Sequence, residues 1–335
     1  MTMRAIVVTE SSQIAEARQV ASQLATSLGF DETNAGRVAL VATELATNIV
    51  KHGGGGELLI SDYDAGSVGG VQLIALDKGS GIGNLAQSFE DGYSSAGTAG
   101  HGLGAIRRQS QLVNIATWPG LGTAVLVHIS ADGKSAPGQP AMPSCGCIAI
   151  PIRGEEICGD DCSAVHTEAG LTLIVADGLG HGPEAAAAAN EAVRLFHSHK
   201  ARPIAELLEY IHNGLRATRG AAVAIARFDR QRSRVQYGGI GNIAGSVIAP
   251  EGARRMVSLN GTAGHNARKI LAFDYAWTGG IVVMHSDGLG TSWSLDRYPG
   301  LAQMHPTLIA SVLYRDFTRG RDDVTVLVAR EVANA

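Results

Sequence analysis

The sequence predicts an α+β protein of two domains. Three observations support the division into two. Domains typically contain roughly 100–200 residues, and this chain has 335. The segment 131–144, ADGKSAPGQPAMPS, contains three of the ten prolines and almost no large apolar residue, as is typical of a linker. Residues 1–132 carry 7 Lys and Arg against 12 Asp and Glu, whereas the rest of the chain carries 20 against 19. We therefore expect domains at 1–132 and 145–335, joined by a linker at 133–144.

The composition excludes several classes of protein. Hydrophobic residues make up 45% of the chain and charged residues 17%, which excludes a disordered chain. A net charge of −4, no basic patch and 5% aromatic residues argue against nucleic-acid binding. No apolar run reaches the roughly 18 residues of a membrane span, and the N-terminal MTMRAIVVTE indicates a first strand rather than a signal peptide. We therefore expect a cytoplasmic protein with neither a nucleic acid nor a membrane as partner.

Four cysteines lie close together in the sequence, at Cys145, Cys147, Cys158 and Cys162. Four cysteines do not make a disulfide framework for a chain of this length, and a reducing compartment is the expected setting. The spacing C-x-C followed by C-x-x-x-C leaves a zinc site open as an alternative, although it fits the usual structural zinc patterns poorly.

The N-terminal part alternates helical and strand patterns. Apolar residues at helical spacing predict helices near 12–28 and 32–51, and a shorter helix is expected near 103–109. β-branched runs predict strands at 58–61, 71–76, 112–117 and 123–129.

Three polar or glycine-rich motifs follow one another in this part. In T-E-L-A-T-N-I-V-K-H-G, the side chains of Glu44, Asn48 and Lys51 share one face of the second helix, which alone could be an ordinary solvated face. The strand at 71–76 ends in D-K-G-S-G-I, where Asp77 can accept from an amino group while the glycines let a flat ring approach. G-H-G-L-G, at 100–104, leads into a helix whose N–H groups can face phosphates.

In this order the three motifs resemble the GHKL ATPases, and within them the anti-sigma-factor serine kinases of the RsbT-like branch. The resemblance implies an α/β two-layer sandwich, the Bergerat ATP-binding fold. It implies that Asn48 holds Mg²⁺ against the phosphates of ATP, that Asp77 binds adenine and that Glu44 is the general base. It assigns these residues to the ATP pocket: Asn48, Lys51, Asp77, Gly79, Gly81, Gly102, Leu103, Gly104 and Thr123.

The C-terminal part is richer in strands. β-branched runs predict strands at 171–176, 221–228, 234–240, 244–249, 281–285 and 324–329. Helices are expected to begin at Pro183 and Pro203, since proline is favoured in the first helical turn. A third helix is expected near 301–314.

Acidic motifs flank several of these strands. They are C-G-D-D at 158–161, D-G-L-G-H-G at 177–182, S-D-G-L-G at 286–290 and R-D-D at 321–323. Most Asp-Gly pairs are simply turns, but four acidic motifs beside apolar strands favour another explanation. Carboxylates gathered at neighbouring strand ends need compensating charge, which hard divalent cations with oxygen ligands supply.

This arrangement resembles the metal-dependent PPM protein phosphatases of the SpoIIE/RsbX branch over residues 145–331. The resemblance implies an α-β-β-α sandwich with two Mn²⁺ or Mg²⁺ ions that share Asp177. The carbonyl of Gly178 would contact one ion, Asp287 and Asp322 would bind the other, and Asp160 would hold a metal-bound water. We do not expect Asp323 to be a ligand.

Together the two resemblances imply a bifunctional regulator of a partner-switching pathway. A serine kinase domain would use ATP and Mg²⁺ to phosphorylate a STAS-domain anti-sigma-factor antagonist or stressosome protein, and a phosphatase domain would hydrolyse the phosphoserine form. Two alternatives remain open. The first domain could bind nucleotide and partner without phosphoryl transfer, or the second could be a scaffold, which the complete acidic set disfavours.

Overall fold

The computed structural model describes residues 3–64, 69–85, 102–131, 144–168 and 170–330. The chain forms two compact units. One comprises Met1–Met142 and Gln303–Arg315, and the other comprises Pro143–Ala302 and Asp316–Ala335.

The first unit is built on one antiparallel sheet with strand order β1-β2-β3-β5-β4. Helices cover one face of this sheet. The strands are β1 (Arg4–Val8), β2 (Gly56–Asp64), β3 (Gly69–Asp77), β4 (Leu112–Trp118) and β5 (Gly122–Ser130), and the helices are α1 (Ser11–Ser27), α2 (Glu32–Asn48) and α3 (Gly102–Gln109).

The two periodicities of the sequence produce this core. Alternate residues of β3, such as Leu73, face the helices, as the two-residue period of a strand requires. On α2, Val38, Val41 and Leu45 recur at helical spacing and are buried in the same cluster. The carboxylate of Asp31 caps α2 by accepting a hydrogen bond from the Asn34 N–H at 2.7 Å.

The second helix ends differently from the prediction. A single helix over 32–51 is expected, but α2 ends at Asn48 and continues as a π-helical turn over Ile49–Gly53. Gly54 ends this turn with φ of +67°, a conformation that favours glycine. π turns of this kind occur frequently at functional sites.

The second unit contains two five-stranded sheets with strand orders β13-β10-β9-β8-β7 and β12-β11-β14-β15-β6. All neighbouring strands are antiparallel. The strands are β6 (Cys145–Ile150), β7 (Asp160–Thr167), β8 (Gly170–Gly178), β9 (Ala221–Asp229), β10 (Arg234–Ile240), β11 (Ala244–Ala249), β12 (Gly252–Met256), β13 (Phe273–Ala276), β14 (Ile281–His285) and β15 (Val324–Ala329).

The two sheets pack face to face, and β8 shows how. Leu173 and Val175 point into the core between the sheets, whereas Ile174 points to the opposite face. That outer face is covered by α4 (Pro183–His199) and α5 (Ile204–Gly214), with residues such as Phe196 and Leu208 fully buried.

Four strands were not predicted, and they lie at or near the sheet edges. β7 begins with two aspartates and β12 contains two exposed arginines, so neither shows the apolar run of a buried strand. The six predicted strands are all present, four of them with the expected bounds. The β-branched pattern therefore identifies the inner strands and overlooks the four edge strands.

The last helix, α6 (Pro306–Phe317), begins five residues later than expected, after a short 3₁₀ turn at Leu301–Gln303. The sequence places it within 145–335, whereas Gln303–Arg315 groups with the first unit. There the His305 N–H donates to Asn114 Oδ1 at 3.5 Å, and Arg315 donates to the carbonyl of Asp77 at 3.0 Å.

The cysteines also differ from expectation. Cys147 on β6 and Cys162 on β7 are joined by a disulfide, which connects the edge strands of the two sheets, while Cys145 and Cys158 are free thiols. Two of the four cysteines considered for a zinc site are therefore bonded to each other and are not available as thiolate ligands. Of the helices in the described ranges, none is long and apolar enough to cross a membrane.

Candidate active sites

In the first unit, the end of the second helix lies directly against the loop that follows β3. A Cβ on Gly53 would come within 2.5 Å of the Asp77 Cβ, and a Cβ on Gly79 would come within 2.5 Å of the His52 carbonyl oxygen. Both distances are shorter than real Cβ contacts. Glycine at these two positions is therefore what lets the first two sequence motifs meet.

Asp77 is the polar centre of this contact. Its Oδ1 accepts hydrogen bonds from the N–H groups of Gly79, at 2.8 Å, and Thr123, at 3.2 Å. Among the described residues, its Oδ2 accepts none, so this oxygen is available to a ligand amino group. Burial raises the pKa of Asp77, and these two N–H groups and the charge of Arg315 oppose that rise.

A pair of threonines from the β4–β5 hairpin lies beside Asp77. Thr117 Oγ1 lies 3.2 Å from Thr123 Oγ1 and accepts from the Ile82 N–H at 2.8 Å. Gly81 packs with its Cα against the Trp118 carbonyl, where a side chain would clash. The resemblance assigns Thr123 to the pocket. Thr117 was missed, because its role depends on the hairpin pairing.

The polar residues of the second helix are placed as their spacing predicts. Glu44 and Asn48 are half-buried, one turn apart, and Lys51 is exposed on the π turn. In the described ranges, no side-chain hydrogen bond joins any of these three to Asp77. The first two motifs meet through His52 and Gly53.

The third motif is described in part. Gly102, Leu103 and Gly104 form the first turn of α3, and Leu103 packs against the helix–sheet core. Arg37 of α2 donates to the carbonyl of Gln109 at 2.7 Å and fixes the other end of α3. Gly100 and His101 lie outside the described residues.

In the second unit, strand register brings the predicted carboxylates together. Asp160 on β7 is directly opposite Asp177 on β8. Asp287 follows β14, Asp322 precedes β15, and these two strands are neighbours. Asp177, Asp287 and Asp322 line one cleft of about 370 Å³. Carboxylates that are far apart in the sequence therefore meet only through the fold.

The backbone of the Asp177 loop is fixed by close packing. A side chain on Gly178 would clash with the Ala185 carbonyl on α4, so the loop and helix can approach only with glycine here. The Gly178 N–H donates to the Gly159 carbonyl at 3.1 Å, which ties this loop to the residue that precedes Asp160.

The electrostatics of the cleft are those of crowded negative charge. Burial raises the pKa of Asp177, and the charges of Asp160, Asp287 and Asp322 raise it further. Burial also raises the pKa of Asp160, and the nearby hydroxyl groups of Ser286 and Thr325 oppose that rise. Neither hydroxyl reaches hydrogen-bonding geometry with the buried Oδ2, which has no partner among the described residues. A buried carboxylate oxygen without a partner is costly, and a bound cation would satisfy it.

The donors present fit hard divalent cations. All are oxygens, which Mg²⁺ and Mn²⁺ prefer. Within the described ranges, no three His, Cys, Asp or Glu side chains converge closely enough to hold one ion between them. Backbone carbonyls and water would therefore supply part of the coordination of an ion in this cleft, as they commonly do for Mg²⁺.

Asp323, which was not expected to bind metal, has a different task. Its Oδ1 accepts from the Ile152 N–H at 2.7 Å and its Oδ2 from the Gly159 N–H at 2.9 Å. Both oxygens hold the loop that leads to Asp160. Nearby, His181 Nδ1 lies 2.9 Å from Glu155 Oε1, which joins the Asp177 loop to the same segment. No local sequence signal distinguishes these backbone contacts from metal ligation.

Both parts of the chain are similar to known proteins. Residues 7–129 match the histidine kinase-like ATPase domain family, and residues 167–331 match the stage II sporulation protein E (SpoIIE) family. The serine/threonine-protein kinase RsbT of Bacillus subtilis is 32% identical over 112 residues, which are 33% of this chain and 84% of RsbT. The chain belongs to the RsbT family. The predicted resemblances are thus confirmed for both halves.

Two solved structures are also similar. One, described as "The bacterial stressosome: a modular system that has been adapted to control secondary messenger signaling", is 31% identical with a TM-score of 0.52 and covers 56% of this chain and 98% of its own. The other, RsbX in complex with magnesium, is 20% identical with a TM-score of 0.47 and covers 56% and 94%. The two family matches confirm the predicted fold class, an α+β protein with a GHKL-type domain and a PPM-type domain.

The contact between the first two motifs of this RsbT-family domain can be tested with alanine. Gly79→Ala places a methyl group against the His52 carbonyl, so we expect the affinity for ATP and Mg²⁺ to fall at least about tenfold, or about 1.4 kcal/mol. Gly83→Ala is the matched control, because a Cβ there meets nothing within 4 Å. Calorimetric titration should show wild-type affinity for Gly83→Ala; equal affinities in both variants would contradict the assignment.

The carboxylate cluster predicts an unusual pH dependence of the metal-free protein. The pKa of Asp177 is higher in the folded than in the unfolded protein. Its contribution to the free energy of unfolding is therefore complete below the unfolded-state pKa of about 4, and it falls progressively as the pH rises from there towards the folded-state pKa. We expect Asp177→Asn to melt at a higher temperature than the wild type at pH 8 in EDTA, with a smaller difference at pH 5. Saturating Mn²⁺ should reverse the order. A variant less stable than the wild type at pH 8 in EDTA would refute this prediction.

Proposed function

We propose that this chain is a bifunctional, cytoplasmic partner-switching regulator that adds phosphate to, and removes it from, a serine of a STAS-domain protein. Residues 1–132 would form the ATP-dependent serine kinase, 133–144 the linker and 145–335 the Mn²⁺- or Mg²⁺-dependent phosphoserine phosphatase. The observation on which the proposal chiefly rests is the convergence of Asp177, Asp287 and Asp322 on one cleft beside buried Asp160.

The phosphatase half is supported by charge and donor chemistry. Two bound Mn²⁺ or Mg²⁺ ions would supply an activated water and neutralise the phosphate. Asp177 would be shared by both ions. The Gly178 carbonyl would contact one of them, and Asp287 and Asp322 would bind the other. Asp160 would orient the attacking water, since its Oδ2 has no other partner in the described ranges. Asp323 would keep the Asp160 loop in place through its two backbone contacts.

The kinase half is supported by family membership and by the side chains on α2. The relative is a serine/threonine-protein kinase. Asn48 would bind Mg²⁺ with ATP, and Glu44, one turn before it, would accept the proton of the substrate serine. Asp77 would accept from the adenine amino group through Oδ2. A nucleotide- and partner-binding module without transfer is the alternative for this half.

A STAS-domain or stressosome protein is the proposed client of both sites. The similarity to a chain from the stressosome structure, at 31% identity, supports this class of partner. A kinase and a phosphatase on one chain would both act on a bound client at high effective concentration. Opposed reactions of this kind set a steady-state level of phosphorylation rather than a single end state.

The phosphatase assignment predicts the behaviour of two aspartate variants. Asp177→Asn removes a charge that two cations would share, so we expect hydrolysis of a phosphorylated STAS protein with Mn²⁺ to fall at least about 10³-fold. Asp161→Asn is the control, since Asp161 accepts from its neighbour's N–H at Cys162 and does not line the cleft. Phosphate release should stay within about threefold of wild type there; full activity in a folded Asp177→Asn would overturn the two-metal assignment.

The kinase assignment is tested separately. Glu44→Gln keeps the shape of the side chain and removes the base, so ATP binding should persist while transfer to serine is lost by at least about 10²-fold. The measurement is phosphate incorporation into a STAS protein by mass spectrometry, in the Asp177→Asn background so that product is not removed. A wild-type kinase half that never transfers phosphate in that background would favour the binding-module alternative.

A further inference from the structure

The strand register of the second unit places an asparagine directly opposite one of the proposed metal ligands. β11 and β14 are antiparallel, with Ala244 opposite His285. Extending this register by two residues beyond the ends of both strands sets Asn242 opposite Asp287. The two residues are far apart in the sequence, so nothing local indicates their proximity.

The side chains make a direct contact. Asn242 Nδ2 donates a hydrogen bond to Asp287 Oδ2 at 2.7 Å. Both residues line the cleft that also contains Asp177 and Asp322. An amide N–H that is bound to one carboxylate oxygen leaves the other, Oδ1, as the oxygen available to a cation.

The backbone beneath Asn242 is held rigidly. Gly241 has φ of +105°, and its N–H donates to the Leu259 carbonyl at 2.8 Å. A Cβ at Gly241 would lie 2.6 Å from the Ala222 Cβ, so the chain at this point sits tightly on β9. The amide of Asn242 is therefore presented from a fixed position rather than from a free loop.

An amide also suits this position electrostatically. The pKa of Asp287 is raised by burial and by the charge of Asp322, so Asp287 is repelled by the carboxylate next to it. A cationic side chain in place of Asn242 would neutralise Asp287 and compete with a metal ion, whereas a carboxylate would add repulsion. A neutral donor orients the ligand without doing either.

We propose that Asn242 is a positioning residue that holds Asp287 in the orientation in which its Oδ1 binds a divalent cation. This role rests on the proposed phosphatase function. Asn242 would act through Asp287 and would not touch the phosphoserine. Asn260, which lines the same cleft, has no side-chain hydrogen bond to an acidic residue in the described part of the chain, so it is the matched comparison.

The test is a calorimetric titration of the full-length chain with Mn²⁺ alone, supported by the electron paramagnetic resonance signal of bound Mn²⁺. Partner residues that orient metal ligands typically contribute about 10–100-fold in metal affinity. We expect that loss for one of two bound ions in both Asn242→Ala and Asn242→Leu, and a change below about threefold in Asn260→Ala. Leucine fills the volume of the amide without donating, so agreement between the two variants identifies the hydrogen bond.

Kinetics separate positioning from substrate binding. At saturating Mn²⁺, kcat for a phosphorylated STAS protein should largely recover in both Asn242 variants, and KM should stay near the wild-type value. Unchanged Mn²⁺ affinity with a raised KM would overturn the proposal, because Asn242 would then bind substrate. A wild-type chain that binds no Mn²⁺ would overturn the phosphatase function and this role together, whereas unaltered Mn²⁺ binding in both variants would overturn only the role of Asn242.

Discussion

Mutual repulsion of carboxylates is the constraint around which the second unit is organised. Antiparallel pairing forces Asp160 against Asp177, and the neighbouring ends of β14 and β15 add Asp287 and Asp322. The strands that impose this crowding are anchored by fully buried residues on both faces of β8, so the sheets cannot separate to relieve it. Apolar burial thus stabilises an arrangement that electrostatics alone would disperse, and a bound cation removes the conflict.

In the first unit, the site depends on close packing of the backbone rather than on crowded charge. Gly53 and Gly79 have no side chains, and this allows the backbone after α2 to contact the loop after β3. Asp77, the carboxylate at that contact, is stabilised by two backbone N–H groups. A neutral ring that needs one acceptor suits such a site, whereas the carboxylate cleft of the second unit would suit a phosphate only with cations bound.

The sequence predicts what is decided locally. Ile281–His285 and Val324–Ala329 have the predicted bounds because every residue in them is buried and all but His285 and Thr325 are apolar. β7 was missed because its pairing, rather than its composition, makes it a strand. For the same reason the aspartates were found through short motifs, whereas the hydrogen bonds of Asn242 and Asp323 were not, because their partners are set by register and by loop packing.

For the segment Gln303–Arg315, the domain boundaries expected from the sequence differ from the units defined by contacts in the structure. This segment lies between strands of the second unit along the chain, yet Arg315 donates to the carbonyl of Asp77, 238 positions earlier, and its charge lowers the pKa of that carboxyl group. Since burial raises the same pKa, Arg315 helps to keep Asp77 ionised as an acceptor. Residues 1–132 therefore contain the three motifs of the first unit but not every charge that acts on them, and that unit is complete only with Gln303–Arg315.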